Sequence, residues 1–362
     1  MPHAVDWRDM NPITSPIRLN GLRLSNRLIY IRQSLAGRVS DTNAPLYRLF
    51  AEKKINIEFL NFSYSGNIPY IGYCISPDAD RQLNRMLLAG KTGTDIVSNR
   101  NMGLFSIYPH RYNLHVLGGV LEIIGRKRLR FYEMASSGSM LTFVVDFNEQ
   151  EKIVQSILRE IELPETHTPF RQIADTDDIC MAKTPETSAT YCEERIRTYG
   201  ILAKPGPVMY RIKTDWAGLS SNGKKIASLD DLGIGFNFVS AVVDPKERIW
   251  ITILCDKVHA SMQGPVHDRE DKEDIGQVLW VSEKLALISL QGPHFGDRHG
   301  IADRAFSALV ENGINIISGA CVGASIFIAI DAMLAEKAKT ILRRFFDDPF
   351  KIRPSAPKNR QN

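Results

Sequence analysis

Apolar and polar positions recur along the chain in one repeated order. Near the carboxyl terminus an apolar β run at 285–290 is followed by a polar loop with glycines, an amphipathic helix at 301–312, two β runs at 314–320 and 325–330, and a second helix at 332–346. Apolar residues of the first helix recur at steps of three and four, so one stripe can cover a sheet face. This β-α-β-β-α order predicts an antiparallel sheet with both helices on one face, the ferredoxin-like arrangement.

A second copy of the pattern begins at Leu28. Without a gap, the run at 28–31 aligns with 287–290, and the same register ends on the triplets Ile55-Asn56-Ile57 and Ile314-Asn315-Ile316. Gly37 then aligns with Gly296. A register shared from strand through helix into strand is the signature of an internal repeat.

Two further segments fit the pattern less closely. One runs from 104 to 161 and has Arg130 where the first two copies have asparagine, and the other runs from 208 to 256 and has Gly235 there. Prolines, threonines and acids between 164 and 191 are typical of a linker. The predicted domains are module 1 with an amino-terminal extension (1–98), module 2 (99–165), a linker (166–190), module 3 (191–282), module 4 (283–348) and a tail (349–362). Mixed charge at 268–274, which is typical of a solvated face or a helix start, precedes a predicted helix at 275–281.

Composition limits the class of protein. No apolar run approaches the roughly 18 residues of a membrane-spanning helix, and the first ten residues lack the plan of a secretory signal, which predicts a cytoplasmic protein without membrane contact. Five scattered cysteines argue against disulfides and thiolate metal sites. A formal net charge of +4 requires no acidic partner, so nucleic acid is not expected. His294 and His299 have no third clustered ligand, and we predict no metal and no cofactor.

The carboxyl-terminal copy resembles the second regulatory ACT domain of aspartate kinases. The resemblance depends on the runs Leu-Ile-Ser-Leu-Gln-Gly-Pro from Leu287, Gly300-Ile301-Ala302 and Gly313-Ile314-Asn315-Ile316. The preceding copy resembles the first ACT domain of that tandem, and the amino-terminal pair resembles ACT domains more loosely. The resemblance implies an α+β fold of about four ferredoxin-like βαββαβ ACT modules, which pair through their sheets and bind an amino acid at the seam between them.

The loop at 292–303 has the chemistry that a free amino acid needs. A zwitterion requires backbone donors near a helix amino terminus for its carboxylate and an acceptor for its ammonium group. We expect Gly292, Gly296 and Gly300 to allow close approach, free N–H groups near Ile301 to bind the carboxylate, and Asp297 to accept from the ammonium. By the resemblance, Asn315 and Ile316 complete this ligand wall, and Asn56 and Ile57 with the 33–41 loop around Gly37 form its counterpart. The alternative is that each asparagine caps a strand entrance and each glycine serves a turn.

Two functions of different class follow. The first is an allosteric sensor for lysine, threonine or a related amino acid, which forms a homodimer through its sheets and regulates a partner such as a biosynthetic enzyme. The second is an ACT scaffold without ligand. Aspartate kinases open on a lysine-phenylalanine-glycine-glycine run that cradles phosphates, and neither this run nor another glycine-rich phosphate loop occurs here. We therefore predict that the chain is not an enzyme.

Overall fold

A computed structural model describes residues 16–35, 45–88, 95–164, 195–256, 278–293, 295–296 and 298–349. These residues form four groups of strands and helices, here called units 1 to 4. Four strands are not assigned to a unit: β1 (Ile17–Arg18), β2 (Gly21–Leu24), β9 (Ile161–Glu162) and β10 (Gly200–Pro205). Of these, β1 and β9 pair with each other.

The units have the following elements. Unit 1 has β3 (Leu28–Ser34), α1 (Leu46–Glu52), β4 (Ile57–Ser65), β5 (Ile68–Ile75), α2 (Asp80–Leu88) and the first half of β6 (Ile96–Tyr108). Unit 2 has the second half of β6, α3 (Leu114–Arg126), β7 (Glu133–Ser136), β8 (Leu141–Asp146) and α4 (Gln150–Leu158). Unit 3 has β11 (Val208–Thr214), α5 (Leu219–Ser228), β12 (Phe236–Val243), β13 (Ile249–Cys255) and β14 (Val278–Ser282). Unit 4 has β15 (Leu285–Gln291), α6 (Ile301–Glu311), β16 (Ser318–Val322), β17 (Ser325–Asp331) and α7 (Ala335–Leu342).

Fifteen strands of the described residues join in one curled sheet. Its order is β10-β15-β17-β16-β4-β5-β3-β6-β8-β7-β12-β13-β11-β14, with β2 on β6, and its pairs are antiparallel. The predicted α+β class with an antiparallel sheet is confirmed. The helix predicted at 275–281 is wrong, because the part of it that is described begins strand β14, which pairs with β11.

Units 1 and 4 lie side by side through β4 and β16, and units 2 and 3 lie side by side through β7 and β12. We call these contacts the 1–4 seam and the 2–3 seam. One half of the sheet consists of β10, unit 4 and unit 1, and the other half consists of β2, unit 2 and unit 3. The two halves have the same strand order, in which β10 corresponds to β2, unit 4 to unit 2, and unit 1 to unit 3. The topology is therefore duplicated within one chain, and unit 1 corresponds to unit 3.

The strand exchange was not visible in the sequence pattern. Strand β10, which the predicted boundaries group with the third module, pairs with β15 of unit 4. Strand β2, which they group with the first, pairs with the second half of β6. In both halves of the chain, an early strand thus completes the later unit, and a whole unit is inserted between them.

Three clusters of buried residues stabilise this arrangement. One lies between the helices and sheet of units 1 and 4, and a second lies in the same place in units 2 and 3. The third is enclosed by the curled sheet and joins both halves, with Phe238 and Phe327 rings 5.9 Å apart. Helices therefore cover the outer face of the sheet, while its inner face packs on itself.

Two arginines at corresponding positions also join the halves. Arg32 of β3 donates to the Val243 carbonyl at 2.8 Å, and Arg211 of β11 donates to the Gly66 carbonyl at 3.2 Å. Beside them the Ser65 hydroxyl donates to Asp244 at 3.0 Å. Each of units 1 and 3 thus binds the hairpin turn of the other, which fixes how the two halves meet.

Candidate functional site

The connection from β15 to α6 lies at the 1–4 seam and is anchored by one aromatic side chain. Phe295 is buried, and its ring lies 6.1 Å from that of Phe346. A side chain at position 292 would overlap the Phe295 ring and the Arg197 carbonyl, so glycine is required there. Gly300 precedes α6 with a φ of 80°, a left-handed conformation that favours glycine. Gly292, Phe295 and Gly300 are therefore held in place ahead of the buried Ile301.

Asn56, at the entrance of β4, binds this loop across the seam. Its side-chain N–H donates to the Gly296 carbonyl at 2.5 Å, and its buried Oδ1 atom has no hydrogen-bond partner among the described residues. An unsatisfied buried acceptor costs about 1–3 kcal/mol, so a donor placed there would be stabilising. The next residue, Ile57, is buried and begins the strand. The sequence pattern grouped the loop with Asn315 of the same unit, whereas the structure joins it to Asn56 of unit 1.

Asn315 occupies the corresponding place before β16. It is exposed, while Ile316 beside it is buried, with its carbonyl 3.4 Å from the Tyr64 hydroxyl that donates to it. The predicted strand at 314–320 begins later, at Ser318. Gly37, Asp297 and His294 lie outside the described residues, so their roles stay predictions.

Gln33 has a structural role at the end of β3. Its side-chain oxygen accepts from the Leu46 backbone N–H at 2.9 Å and from the Tyr73 hydroxyl at 3.1 Å. These bonds satisfy an amide at the start of α1 and a buried phenol. Gln33, the first residue of the predicted 33–41 loop, therefore positions helix α1 of unit 1.

A polar bridge joins α1 and α6 across the 1–4 seam. Arg48 donates to the Ser307 hydroxyl at 3.0 Å and pairs with Glu311 at 2.9 Å, and Ser307 donates to Asp303 at 2.6 Å. Burial raises the pKa of the Asp303 carboxyl, and it raises the pKa of the adjacent Tyr47 phenol to about 12. The helices of this seam therefore meet through side chains. Arg48 and Ser307 were not predicted as site residues, since helical spacing does not show which helices will be neighbours.

The 2–3 seam has a different construction at the place that corresponds to Asn56. Gly235 forms a β-bridge with Asn113, and the Phe236 N–H donates to the Tyr112 carbonyl at 2.9 Å. The His110 ring lies 4.9 Å from the rings of both Tyr112 and Phe236. Backbone and aromatic rings of the protein fill this position.

At the place that corresponds to Asn315, the 2–3 seam has Arg130. Its guanidinium lies 5.0 Å from the Trp216 ring, and that indole packs 5.4 Å from the Phe131 ring. Glu247 accepts from the Trp216 indole N–H at 3.0 Å and also forms an ion pair with Arg130. The Glu247 carboxylate thus binds both the Trp216 indole and the Arg130 guanidinium at this position.

The helices of the 2–3 seam meet backbone to backbone. A Cβ atom at Gly118 would lie 2.3 Å from the Ala227 nitrogen, and one at Gly223 would lie 2.4 Å from the Glu122 nitrogen. Gly125 has a similar contact with the Ser220 nitrogen at 2.4 Å. Only glycine fits at such distances.

Comparisons with solved structures connect this fold to aspartate kinases. An aspartate kinase from Synechocystis matches with a TM-score of 0.67 and 13% identity over 94% of this chain and 57% of its own, so the chain spans little more than half the length of that protein. The regulatory subunit of aspartate kinase from Thermus thermophilus matches 40% of the chain with a TM-score of 0.36 and 11% identity, over 99% of its own length. An E. coli aspartokinase III in complex with lysine and aspartate matches 41% of the chain, and 34% of its own, with a TM-score of 0.31 and 14% identity. No protein-family model matches the chain, and no curated protein matches it either. The chain has an aspartate kinase-like fold.

The first of these matches contradicts the prediction that the chain is not an enzyme. That prediction depended on a missing phosphate-binding run, which tests for one way of holding a nucleotide. The protein whose fold matches 94% of the chain is itself an enzyme, an aspartate kinase. A missing short motif was therefore too narrow a criterion for placing the chain outside the enzymes.

Among the described helices, none is long and apolar enough to cross a membrane.

Proposed function

We propose that the chain is an amino-acid-binding protein of the ACT type, in which units 1 to 4 are ACT modules and a free amino acid binds at the 1–4 seam. The observation that carries this proposal is the contact between the Gly296 carbonyl and Asn56, whose buried Oδ1 atom has no partner in the part of the chain that the structure describes. The loop and the asparagine come from opposite halves of the chain. A ligand between them would bind both halves at once.

The geometry suits the two charges of a zwitterion. The ammonium group would donate to the Gly296 carbonyl and to Asn56 Oδ1, both of which are acceptors. The carboxylate would accept from backbone N–H groups in the first turn of α6, which follows the loop at Ile301. Lysine, threonine or a related amino acid is the ligand that we propose. Binding would stabilise one arrangement of the units and so alter the affinity for a partner, for which a second copy of the chain or a biosynthetic enzyme is the candidate.

A second function, an ACT scaffold without ligand, is favoured by the 2–3 seam. There the chain's own backbone and side chains occupy the positions that correspond to the proposed site, as Gly235 and Asn113 do. The scaffold function requires that the 1–4 seam, too, be closed to small ligands.

A thermal-shift series separates the two functions. The full chain is heated with each of the twenty amino acids at up to 10 mM, and one amino acid or a related pair is expected to raise the Tm on the order of 5 °C at a concentration of 100 Kd. Asn56→Ala should lose most of this shift, because it removes both the Gly296 contact and the free acceptor. Asn148→Ala, an exposed position in unit 2, is the control and should keep it. If no amino acid raises the Tm, the proposal is wrong and the scaffold function stands.

A further inference from the structure

We infer that the 2–3 seam is closed to ligand by the chain's own residues, so that the amino acid occupies the 1–4 seam alone. This inference rests on the proposed function and goes beyond it. Because the topology is duplicated, four positions correspond to one another. At each of them, the connection after the first strand of one unit meets the residues just before the second strand of the neighbouring unit across the seam. Two of these positions lie in each seam, and both positions of the 2–3 seam are filled by residues that the structure describes.

The first closed position is filled around His110. Its Nδ1 atom accepts from the Tyr112 backbone N–H at 2.9 Å, and its Nε2 atom lies 3.0 Å from the Ser137 carbonyl, which requires a proton on Nε2. Burial lowers the pKa of this imidazole to about 4, so it stays neutral near pH 7. The strand-entrance N–H of Phe236 is already bound to Tyr112. Both ring nitrogens of His110 and the backbone N–H groups of Tyr112 and Phe236 are therefore already bound within the protein.

The second closed position is filled by Trp216. Its ring is covered on one side by the Arg130 guanidinium and packs edge-on against Phe131. The polar atoms of this group meet on Glu247, which binds both the indole N–H and Arg130. A ligand would have to displace an aromatic side chain and break an ion pair to enter.

The lengths of the connections follow the same division. In the 2–3 seam, residues 109–113 join β6 to α3, and residues 215–218 join β11 to α5. In the 1–4 seam, the connections are 35–45 and 292–300. The connections of the 2–3 seam are thus five and four residues long, and connections this short allow only a tight turn.

The helices above each seam differ in the same way. The backbones of α3 and α5 touch at Gly118 and Gly223, so this pair has no layer of side chains that could rearrange. Above the 1–4 seam, Arg48 and Ser307 stand between α1 and α6, and long polar side chains can change rotamer at low cost. The contact between α3 and α5 of the 2–3 seam is therefore rigid, whereas the side chains between α1 and α6 of the 1–4 seam can adjust when a ligand binds.

Isothermal titration of the full chain tests this inference with the amino acid that gives the thermal shift. The expected stoichiometry is no more than two per chain. Asn56→Ala should weaken binding at least tenfold, whereas Tyr112→Ala and Trp216→Ala should leave the stoichiometry and the Kd within twofold of the unmodified chain. Because either truncation could unfold the 2–3 seam, Tyr112→Phe and Trp216→Phe are titrated alongside and should behave as the unmodified chain does.

The outcomes are distinct. Three or more ligands per chain, or loss of binding in the Trp216 or Tyr112 variants with Asn56→Ala unaffected, would place ligand in the 2–3 seam and overturn the inference while the proposed function survives. If no amino acid binds the unmodified chain, the proposed function fails and the inference fails with it.

Discussion

Glu133 is a buried carboxyl that links the two halves of the curled sheet. It accepts from the Tyr30 hydroxyl at 2.7 Å and from the Asn61 amide at 3.0 Å, and Asn61 also donates to the Ala241 carbonyl at 3.2 Å. A Cβ atom at Gly72 would lie 2.0 Å from this carboxyl, so glycine makes the space for it. Burial raises the pKa of Glu133 to about 7, against the hydrogen bonds from Tyr30 and Asn61 and the charge of Arg32, which lower it.

We predict that ionisation of Glu133 makes the fold less stable as pH rises. Its pKa is raised in the folded chain, so between pH 5 and pH 7 the folded state binds more protons than the unfolded state, and stability falls with rising pH. The unfolding free energy relative to Glu133→Gln should fall by up to ~3 kcal/mol between pH 5 and pH 8. Urea unfolding of both proteins at several pH values measures this difference. Glu160→Gln is the control, because Arg126 and Lys127 lower the pKa of that carboxyl. A difference between the unmodified chain and Glu133→Gln that stays constant with pH would show that Glu133 does not titrate in this range.

The sequence could not have shown this cluster. Glu133 stands in an apolar run, where a single carboxylate is equally consistent with an exposed edge, and its partners Tyr30 and Asn61 lie about 70 to 100 residues away along the chain. By contrast, the asparagine of the Ile55-Asn56-Ile57 triplet was found, because a repeated residue at a strand entrance is a local signal. Its contact with Gly296 of unit 4 was not predicted, since register within a unit carries no information about neighbours.

At the scale of elements, the glycines of α3 and α5 allow the two helices to come into close contact because they have no side chain. Glycine inside a helix normally costs roughly 1 kcal/mol relative to alanine. A Cβ atom at Gly223 would lie 2.4 Å from the Glu122 nitrogen and 2.6 Å from the Gly118 carbonyl oxygen, which is too close for either contact. The close contact of the two helices therefore outweighs the lower helix propensity of glycine.

Replacing Gly223 by alanine should accordingly destabilise the chain rather than stabilise it. We expect a loss of about 1–3 kcal/mol, the usual cost of overpacking, because the atoms in the way belong to the backbone and cannot rotate aside. The free energy of unfolding in urea measures this. Ser221→Ala, at an exposed position of the same helix, should change stability by less than about 0.5 kcal/mol. A stabilised Gly223→Ala variant would mean that the helices lie farther apart than described.

Elements were predictable from the sequence to the extent that their patterns are local. The helix predicted at 301–312 is α6 at Ile301–Glu311, and the strand predicted at 325–330 is β17 at Ser325–Asp331. The helix predicted at 275–281 failed because mixed charge marks solvent exposure and does not distinguish an edge strand such as β14 from a helix start. The pairing of β2 and β10 with later units was beyond reach, since alternation identifies a strand without naming its partner.

For the whole molecule, the duplicated topology leaves no boundary where the sheet stops. Strand β6 runs from Ile96 to Tyr108 and pairs with β3 in its first half and β8 in its second, so units 1 and 2 share one strand. The two seams and the arginines at Arg32 and Arg211 then connect units 3 and 4 to this pair. Such interdependence predicts that the units are not separately stable.

The chain should therefore unfold in a single transition. Three of the four tryptophans of the chain, Trp216, Trp250 and Trp280, lie in unit 3, so tryptophan fluorescence reports mainly on that unit, whereas far-UV circular dichroism reports on all of the helices and strands. We expect the two probes to give the same urea midpoint, because opening one unit exposes the buried cluster that joins both halves. Gly223→Ala should lower both midpoints together. A fluorescence midpoint well separated from that of circular dichroism would instead show that unit 3 unfolds independently.

The exchange of strands also has a consequence for synthesis on the ribosome. Strand β10 emerges before unit 3, yet its partner β15 emerges only after that unit is complete. In the interval β10 has a free edge, and unpaired edges are sites of aggregation for nascent chains. Exposed Lys204 and a terminal Pro205 on this strand are residues of the kind that discourage such pairing while the polypeptide is still being extended.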